Sequence, residues 1–323
     1  MIQVKNLTKR YGSNIAVNNI SFSVGKGEIL GFLGPNGAGK TTTMNILTGY
    51  IAATDGECTI NGYNVTEEPE KAKEHIGYLP ENPPLYDDMT VYEYLSFVSD
   101  LKRVPKNSRK QEIDDIIDIL KITNMRNRLT KNLSKGYRQR AGLAGAMIGG
   151  PEVLVLDEPT IGLDPNQISN MRGVIRGLRE RHTVILSSHI LPEVSAMCSR
   201  VLIINRGRVV ASETTERISE IDGSRKFQIR VKGEPADVLA ALAKIPAVKK
   251  SEPTQEAGTS EFVLTATGGD DIREGIFNAL AEKSLPMLMF KPLGASLEDI
   301  FIRVTAGELD AETEEESAND GDN

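Results

Sequence analysis

The fold of this chain is decided by residues 34–41, which read Gly34-Pro35-Asn36-Gly37-Ala38-Gly39-Lys40-Thr41. This spacing is that of a phosphate-binding loop, in which glycines let backbone N–H groups turn towards phosphate oxygens. Lys40 adds a full positive charge, and the hydroxyl of Thr41 is a candidate Mg²⁺ ligand. An apolar run at 29–33 predicts a strand before the loop, and Thr42 begins a predicted helix after it. We therefore expect residues 34–42 to bind the phosphates of a nucleoside triphosphate.

The composition indicates a globular chain with an acidic end. The 323 residues are 39% hydrophobic and 26% charged, which allows one large and one small domain. The net charge of −7 becomes +1 without the eight acids of residues 307–323, a tail that we expect to be disordered. No apolar run approaches the ~18 residues of a membrane span, and the N-terminus lacks an apolar signal segment, so we expect a cytosolic protein. Cys58 and Cys198 have no metal-type spacing and are expected to be free thiols.

Residues 1–220 have the pattern of a mixed α/β domain. Three short runs are apolar throughout, as in strands buried on both faces of a parallel sheet: 153–156, 183–186 and 201–204. Two stretches near the N-terminus alternate in polarity and predict antiparallel strands, namely 2–5 and 20–24. Residues 85–150 carry apolar positions at helical spacing and predict a helical insert. We expect a P-loop NTPase core with an antiparallel β subdomain.

Residues 226–306 predict a second, smaller domain. Strand and helix patterns follow one another in the order β-α-β-β-α-β, which is the ferredoxin-like order. A last helix is predicted to begin at Ser296, where Ser296-Leu297-Glu298-Asp299 is close to a capping box.

Two carboxylates follow the apolar run at 153–156. Asp157 is placed at a strand end, where an acid beside a phosphate loop holds Mg²⁺. Glu158 is placed to polarise a water for attack on the γ-phosphate. The alternative is that both acids only cap the turn at Pro159.

Four further motifs follow the phosphate loop in a fixed order, and together they resemble the motifs of ABC ATPases. They read Leu133-Ser134-Lys135-Gly136-Tyr137, Leu156-Asp157-Glu158-Pro159-Thr160, Gly162-Leu163-Asp164-Pro165 and Ser187-Ser188-His189. In that family these positions are the signature, the Walker B strand, the D-loop and the H-loop. Tyr11 matches the aromatic residue that stacks on adenine. The resemblance covers residues 1 to about 220.

The resemblance implies an ATPase that uses ATP and Mg²⁺. It implies that Thr41 and Asp157 hold the metal, and that Lys40, Glu158 and His189 act on the γ-phosphate. It also implies that Ser134 and Gly136 face the ATP of a second copy, so that two chains close around two ATP molecules. The D-loop residue of this arrangement is Asp164.

Three positions depart from the family pattern. Lys135 and Tyr137 replace a glycine and a common glutamine of the signature, whereas Ser134 and Gly136 are kept. Glu81 stands where the family usually carries a glutamine that contacts Mg²⁺ and the attacking water. We predict that Glu81 approaches the metal and makes closure more dependent on Mg²⁺, since a carboxylate is a harder ligand. The alternative is a surface glutamate on a displaced loop.

The resemblance favours the ATP-binding subunit of a transporter whose permease is a separate chain. The loop Asn82-Pro83-Pro84-Leu85-Tyr86 is apolar and, with the helical insert, is a candidate groove for a permease helix. The alternative, which is not exclusive, is that these residues pack internally. Residues 296–301, Ser-Leu-Glu-Asp-Ile-Phe, resemble the bacterial export-type branch of drug, polysaccharide and gliding-motility exporters.

These resemblances imply a cytoplasmic protein on the inner face of the cell membrane. The alternative is a soluble ABC ATPase with a regulatory, translation or repair role and no permease. No strongly basic face is evident in the sequence, so nucleic acid is not an expected partner.

Overall fold

The structure is a computed structural model. It describes residues 1–214, 225–243, 245, 248–250, 254–256, 258–266 and 272–293. The chain divides into two compact units, Met1–Thr215 and Glu216–Asn323. The helix predicted at Ser296 and the acidic tail at 307–323 lie outside the described residues.

The first unit contains ten strands and seven α-helices within residues 1–214. In chain order they are β1 (Ile2–Tyr11), β2 (Asn14–Val24), β3 (Ile29–Leu33), α1 (Lys40–Leu47), β4 (Asp55–Ile60), β5 (Tyr63–Asn64), α2 (Pro69–Glu74), β6 (Ile76–Leu79), α3 (Val91–Leu101), α4 (Lys106–Ile119), α5 (Lys135–Met147), β7 (Val153–Leu156), α6 (Pro165–Leu178), β8 (Thr183–Ser188), α7 (Leu191–Met197), β9 (Arg200–Asn205) and β10 (Arg208–Thr214).

Six strands form the central sheet, in the order β10-β9-β3-β8-β7-β6. All neighbours in it are parallel except β9 and β10, which form an antiparallel hairpin. Every residue of β3, β7 and β8 is buried, as uniformly apolar strands between two layers require. The predicted parallel core is therefore confirmed, and the turn from β3 into α1 carries the phosphate loop at its carboxyl edge.

A second, antiparallel sheet has the order β2-β1-β4-β5. Its register pairs Ile2 with Val24 and with Ile60, and all three side chains are buried. Because β1 and β2 alternate in polarity, one face of this sheet is apolar and packs on the core, as the sequence predicts.

The predicted helical insert consists of α3, α4 and α5. The first of these helices starts with a capping box between Thr90 and Glu93, and α4 starts directly after Pro105. Glycines let α5 approach its neighbours closely. A Cβ on Gly142 would lie 2.6 Å from Cβ of Pro83, and one on Gly145 would lie 2.7 Å from Oη of Tyr94.

The second unit is built around an antiparallel sheet. Its described elements are β11 (Arg225–Lys232), α8 (Pro235–Leu242), β12 (Val248–Lys250), β13 (Thr254–Glu256), β14 (Thr259–Ala266), α9 (Arg273–Glu282) and β15 (Met287–Leu293). The sheet order is β12-β14-β11-β15, with the short strand β13, which the sequence does not predict, paired to β14. The core between sheet and helices includes Ile229, Val231, Leu242, Phe262 and Ile276.

Candidate nucleotide site

A cleft of about 750 Å³ opens beside the turn from β3 into α1. Residues from six separate parts of the first unit line it: Asn14, Ile15, Ala16, Asn36, Gly37, Gly39, Lys40, Thr41, Thr42, Glu81, Glu158, Ile161, His189 and Arg206. The structure thus brings most of the predicted site residues into one cavity, because the carboxyl ends of the parallel strands meet at this edge.

The phosphate loop has the backbone that its sequence predicts. Gly37 and Gly39 have φ values of 80° and 106°, which are open to glycine and strained for other residues. A Cβ on Gly39 would lie 2.5 Å from the carbonyl oxygen of Ala16. At Gly34, a Cβ would lie 2.4 Å from the carbonyl oxygen of Ile204. Pro35 and Ala38 belong to the same loop, whose Ala38 N–H donates to the Pro35 carbonyl at 3.2 Å.

Lys40 is the first residue of α1, and its side chain is buried against the loop. Its Nζ donates to the carbonyls of Gly34 and Pro35 at 2.8 and 3.2 Å. The same ammonium lies 3.6 Å from Oε1 of Glu158, and both side chains are under 10% exposed. A cation so placed is available to a phosphate that enters the loop.

Asp157 and Glu158 follow β7 directly and are both buried. The hydroxyl of Ser187, on the neighbouring strand β8, donates to Oδ1 of Asp157 and accepts from the N–H of Glu158, the latter at 2.9 Å. Glu158 has a φ of 47°, a left-handed conformation that is costly for a side chain with a Cβ. Ser187 therefore fixes the strained backbone that aims the Glu158 carboxylate into the cleft.

His189 completes this end of the cleft. Its Nδ1 lies 3.1 and 3.0 Å from the two carboxylate oxygens of Glu158. The Glu158 carboxylate thus lies between the ammonium of Lys40 and the imidazole of His189. Three of the residues that the sequence assigns to the γ-phosphate form one contiguous group.

Thr41, Thr42 and Glu81 all line the cleft. Thr41 and Glu81 are exposed to solvent, so their oxygens are accessible to a ligand. The carbonyl of Glu81 accepts from Nε2 of Gln139 on α5 at 3.2 Å, which holds this loop against the helical insert. The approach of the Glu81 carboxylate to the metal stays a prediction.

Tyr11 lies at the end of β1 and is 51% exposed, with the ammonium of Lys9 at 5.2 Å from its ring centroid. Within the described residues it is outside the group that lines the cleft. Its role on adenine stays a prediction.

Ser134 and Gly136 lie at the start of α5 and are not among the described residues that line the cleft around Lys40. Ser134 is the N-cap of α5, and its side chain makes no capping hydrogen bond. Asp164 caps α6 through a capping box with Gln167. A Cβ on Gly136 would lie 2.8 Å from the Gln167 side chain, so the starts of α5 and α6 are in direct contact.

Sequence reasoning from motifs misses five of the residues that line this cleft, namely Asn14, Ile15, Ala16, Ile161 and Arg206. It also gives no role to Ser187, which contacts Asp157 and Glu158 behind the cleft. Ser187 could be found because it precedes His189 in the quoted H-loop stretch, but its bridge between two acids depends on strand pairing. Asn14 begins strand β2 and Arg206 lies in the turn after β9, both without a motif, and only the fold brings them to the phosphate loop.

The residues present suit a hard divalent cation that also binds phosphate. Within the described part of the chain no cluster of three His, Cys, Asp or Glu side chains is arranged to hold a metal. Mg²⁺ is usually bound by one or two carboxylates together with substrate phosphates and waters, and so needs no such cluster. Cys58 and Cys198 are free and buried, as predicted. In the described residues no helix is long and apolar enough to cross a membrane.

The fold and this cleft define a P-loop ATPase, and comparisons with known proteins specify its family. The ABC transporter family model matches residues 17–161. The chain is 34% identical to an uncharacterized ABC transporter ATP-binding protein, YhcH, of Bacillus subtilis, over 98% of both chains. It is 30% identical to the linearmycin resistance ATP-binding protein LnrL of the same organism, over 96% of this chain and 99% of that one. The lipopolysaccharide export system ATP-binding protein LptB of Haemophilus influenzae is 34% identical over 68% of this chain and 92% of its own.

Solved structures agree. The ATP-binding subunit of an ABC transporter superposes with a TM-score of 0.63 at 27% identity, over 69% of this chain and 93% of that one. A dimeric post-hydrolysis ATP-binding cassette bound to ADP and Pi has a TM-score of 0.61 at 22% identity, covering 67% of this chain and 99% of its own, and shows the shared fold. The chain therefore belongs to the ATP-binding proteins of ABC transporters. It binds and hydrolyses ATP as the ATPase subunit of a transporter.

Proposed function

We propose that two copies of this chain close face to face around two ATP molecules. The observation that carries this proposal is the position of the signature residues. Ser134 and Gly136 are outside the group of described residues that line the chain's own nucleotide cleft. An uncapped helix start with free N–H groups suits a phosphate. A nucleotide held by a second copy supplies that phosphate.

Within each cleft we assign roles from position and charge. Nucleotide phosphates bind the loop at 34–42 and Lys40, and Tyr11 stacks on adenine. Glu158 orients and polarises the attacking water, and His189, whose Nδ1 lies 3.0 Å from that carboxylate, contacts the γ-phosphate. Thr41, Asp157 and Glu81 are the residues that would hold Mg²⁺. The ion, when bound, neutralises charge on the β- and γ-phosphate oxygens.

A separate permease is the proposed membrane partner, and a groove of about 380 Å³ is its proposed docking site. Pro83 and Pro84 line this groove together with Tyr50, Tyr78 and residues of α5. Tyr50 is 78% exposed, so its ring is accessible to a partner that docks on this groove. Pro83 also packs on Gly142, and this internal packing is compatible with the proposed docking of a permease helix.

Export is the proposed direction of transport. It is supported by the names of LnrL and LptB, which belong to a resistance system and an export system. Partner and direction together place the protein on the cytoplasmic face of the cell membrane.

The proposed domain boundaries are 1–220 for the ATPase with its insert at 85–150, 226–306 for the second domain, and 307–323 for the acidic tail. We infer a ferredoxin-like fold for the second domain. When β13 is left out and the other described strands are numbered in chain order, the antiparallel sheet has the order 2-3-1-4, which supports that inference.

The dimer proposal is tested with Glu158→Gln, which is expected to retain ATP and accumulate as a dimer in light scattering. Adding Ser134→Arg to this background should leave ATP bound to a monomer, because the arginine blocks only the surface facing the second copy. Ser108→Arg, at an exposed serine early in α4, is the matched control and should still dimerise. A Ser134→Arg protein that dimerises with ATP as before would contradict the face-to-face arrangement.

The permease proposal is tested by purifying the chain from its native membranes. Recovery with a polytopic membrane protein, lost on Tyr50→Asp, is the expected result. Recovery in a soluble complex with RNA or ribosomes would favour the alternative, an ABC ATPase without a permease.

A further inference from the structure

The turn between β9 and β10 has an unusual residue for its geometry. Asn205 pairs with Arg208, so the connection is the two-residue turn Arg206-Gly207. Both residues have positive φ, 46° and 77°, as in a type I′ hairpin turn. The first position of such a turn strongly favours Asn, Asp or Gly, because other side chains are strained there. An arginine at this position is a candidate for a functional role.

The backbone of this turn is fixed to the phosphate loop. The N–H of Gly207 donates to the carbonyl of Ala38 at 2.9 Å, and its carbonyl accepts from the N–H of Asn18 at 2.8 Å. A Cβ on Gly207 would lie 2.9 Å from the carbonyl oxygen of Ala16. Because the turn is held on both sides, the position of Cα of Arg206 relative to the loop is set by the fold.

The side chain of Arg206 is exposed and lines the nucleotide cleft. Lys40 is the other lysine or arginine among the lining residues, and Glu158 pairs with it. Among the described residues no carboxylate forms an ion pair with Arg206. A guanidinium in this position is available to an anion that enters the cleft.

We propose that Arg206 binds a phosphate of the nucleotide on the side of the cleft next to Ala16 and Gly39. This inference rests on the proposed nucleotide site. The turn contacts Ala38 and lies against Gly39, whereas the group that acts on the γ-phosphate, Glu158 with His189, is paired with Lys40. Arg206 therefore holds the α- or β-phosphate, which ATP and ADP share. Arginine suits this task because its planar fork donates two hydrogen bonds to phosphate oxygens.

The test compares Arg206→Asn with Arg206→Lys and with a control next to the turn, Arg208→Asn at the first residue of β10. Asparagine suits the turn, so Arg206→Asn is expected to fold and to melt no earlier than the parent chain. Arg208 lines a different hollow, beside Asn18 and Ser21, and its loss should leave nucleotide affinity unchanged. Affinity for ATP and for ADP is measured by calorimetry at low and high salt.

For Arg206→Asn we expect Kd to rise about tenfold for both nucleotides, as for the loss of a charged hydrogen bond. The salt dependence of binding should also decrease in Arg206→Asn. The Kd of Arg206→Lys should lie between those of the parent chain and of Arg206→Asn. An unchanged Kd for Arg206→Asn, with binding lost in Lys40→Ala, would overturn the role of Arg206 and keep the nucleotide site. A parent chain that binds neither nucleotide would instead refute the proposed site itself.

Discussion

Replacing Glu158 by Gln changes one oxygen of a buried carboxylate to an amide and keeps the shape of the side chain. Glu158 is 6% exposed and lies between Lys40, at 3.6 Å, and His189, at 3.0 Å. The amide cannot accept a proton from water at neutral pH, and its weaker dipole polarises the nucleophile less. The substitution therefore removes the general base without changing the shape of the cleft.

Two magnitudes follow from this geometry. Loss of a general base costs a factor of about 10²–10⁴ in turnover, or about 3–5.5 kcal/mol in activation free energy. The free energy of unfolding changes less than the activation free energy. Lys40 keeps its hydrogen bonds to two loop carbonyls when its carboxylate partner is gone. We expect the free energy of unfolding to fall by about 1.5–3 kcal/mol, the range for one charged hydrogen bond. The loss of turnover should therefore exceed what the loss of stability accounts for.

The assay is release of inorganic phosphate in single turnover, with ATP binding measured on the same preparation. Glu152→Gln is the matched control: Glu152 immediately precedes β7, is 45% exposed and pairs with His75 outside the cleft. The control should hydrolyse ATP at the parental rate. Turnover in Glu158→Gln close to that of the parent chain would refute the assignment of the base.

Two other predictions concern metal and pH. Glu81→Gln should bind ATP but require more Mg²⁺ for half-maximal hydrolysis, because a neutral amide is the weaker ligand; an unchanged Mg²⁺ titration would contradict the proximity of Glu81 to the ion. Burial lowers the pKa of His182, which is 8% exposed and donates from Nδ1 to the Pro151 carbonyl at 2.6 Å. Because its folded-state pKa is depressed, the unfolded chain takes up the proton first as the pH falls below the ordinary value near 6.5. The free energy of unfolding should therefore decrease from about pH 7.5 to 5.5, and His182→Gln, measured in urea, should show a smaller decrease; a parallel pH profile for both proteins would disprove this contribution.

Features that depend on local sequence could be predicted, whereas contacts between distant segments could not. The phosphate loop and the buried strands of the central sheet follow from periodicity and glycine spacing, so they could be predicted. The strand β8 runs two residues further than its apolar pattern because Ser187 and Ser188 stay buried, and Ser187 bonds to Asp157 and Glu158. Arg206 carries no sequence signal for the cleft, since its placement depends on a turn fixed to Ala38. Contacts of this kind join distant segments and are set only by the assembled sheet.

The contact between Gly142 and Pro83 has a consequence for how this protein can vary. Helix α5 tolerates no Cβ at Gly142, because that atom would lie 2.6 Å from Cβ of Pro83. Relatives with alanine at the position of Gly142 must carry a smaller or shifted residue at the position of Pro83. Relatives with proline at the loop position must keep glycine in the helix. The two positions should therefore covary among homologues. A chimera that takes only α5 from such a relative would have a steric clash between this helix and the loop at Pro83. A chimera that takes the helix and the loop together would keep their close packing.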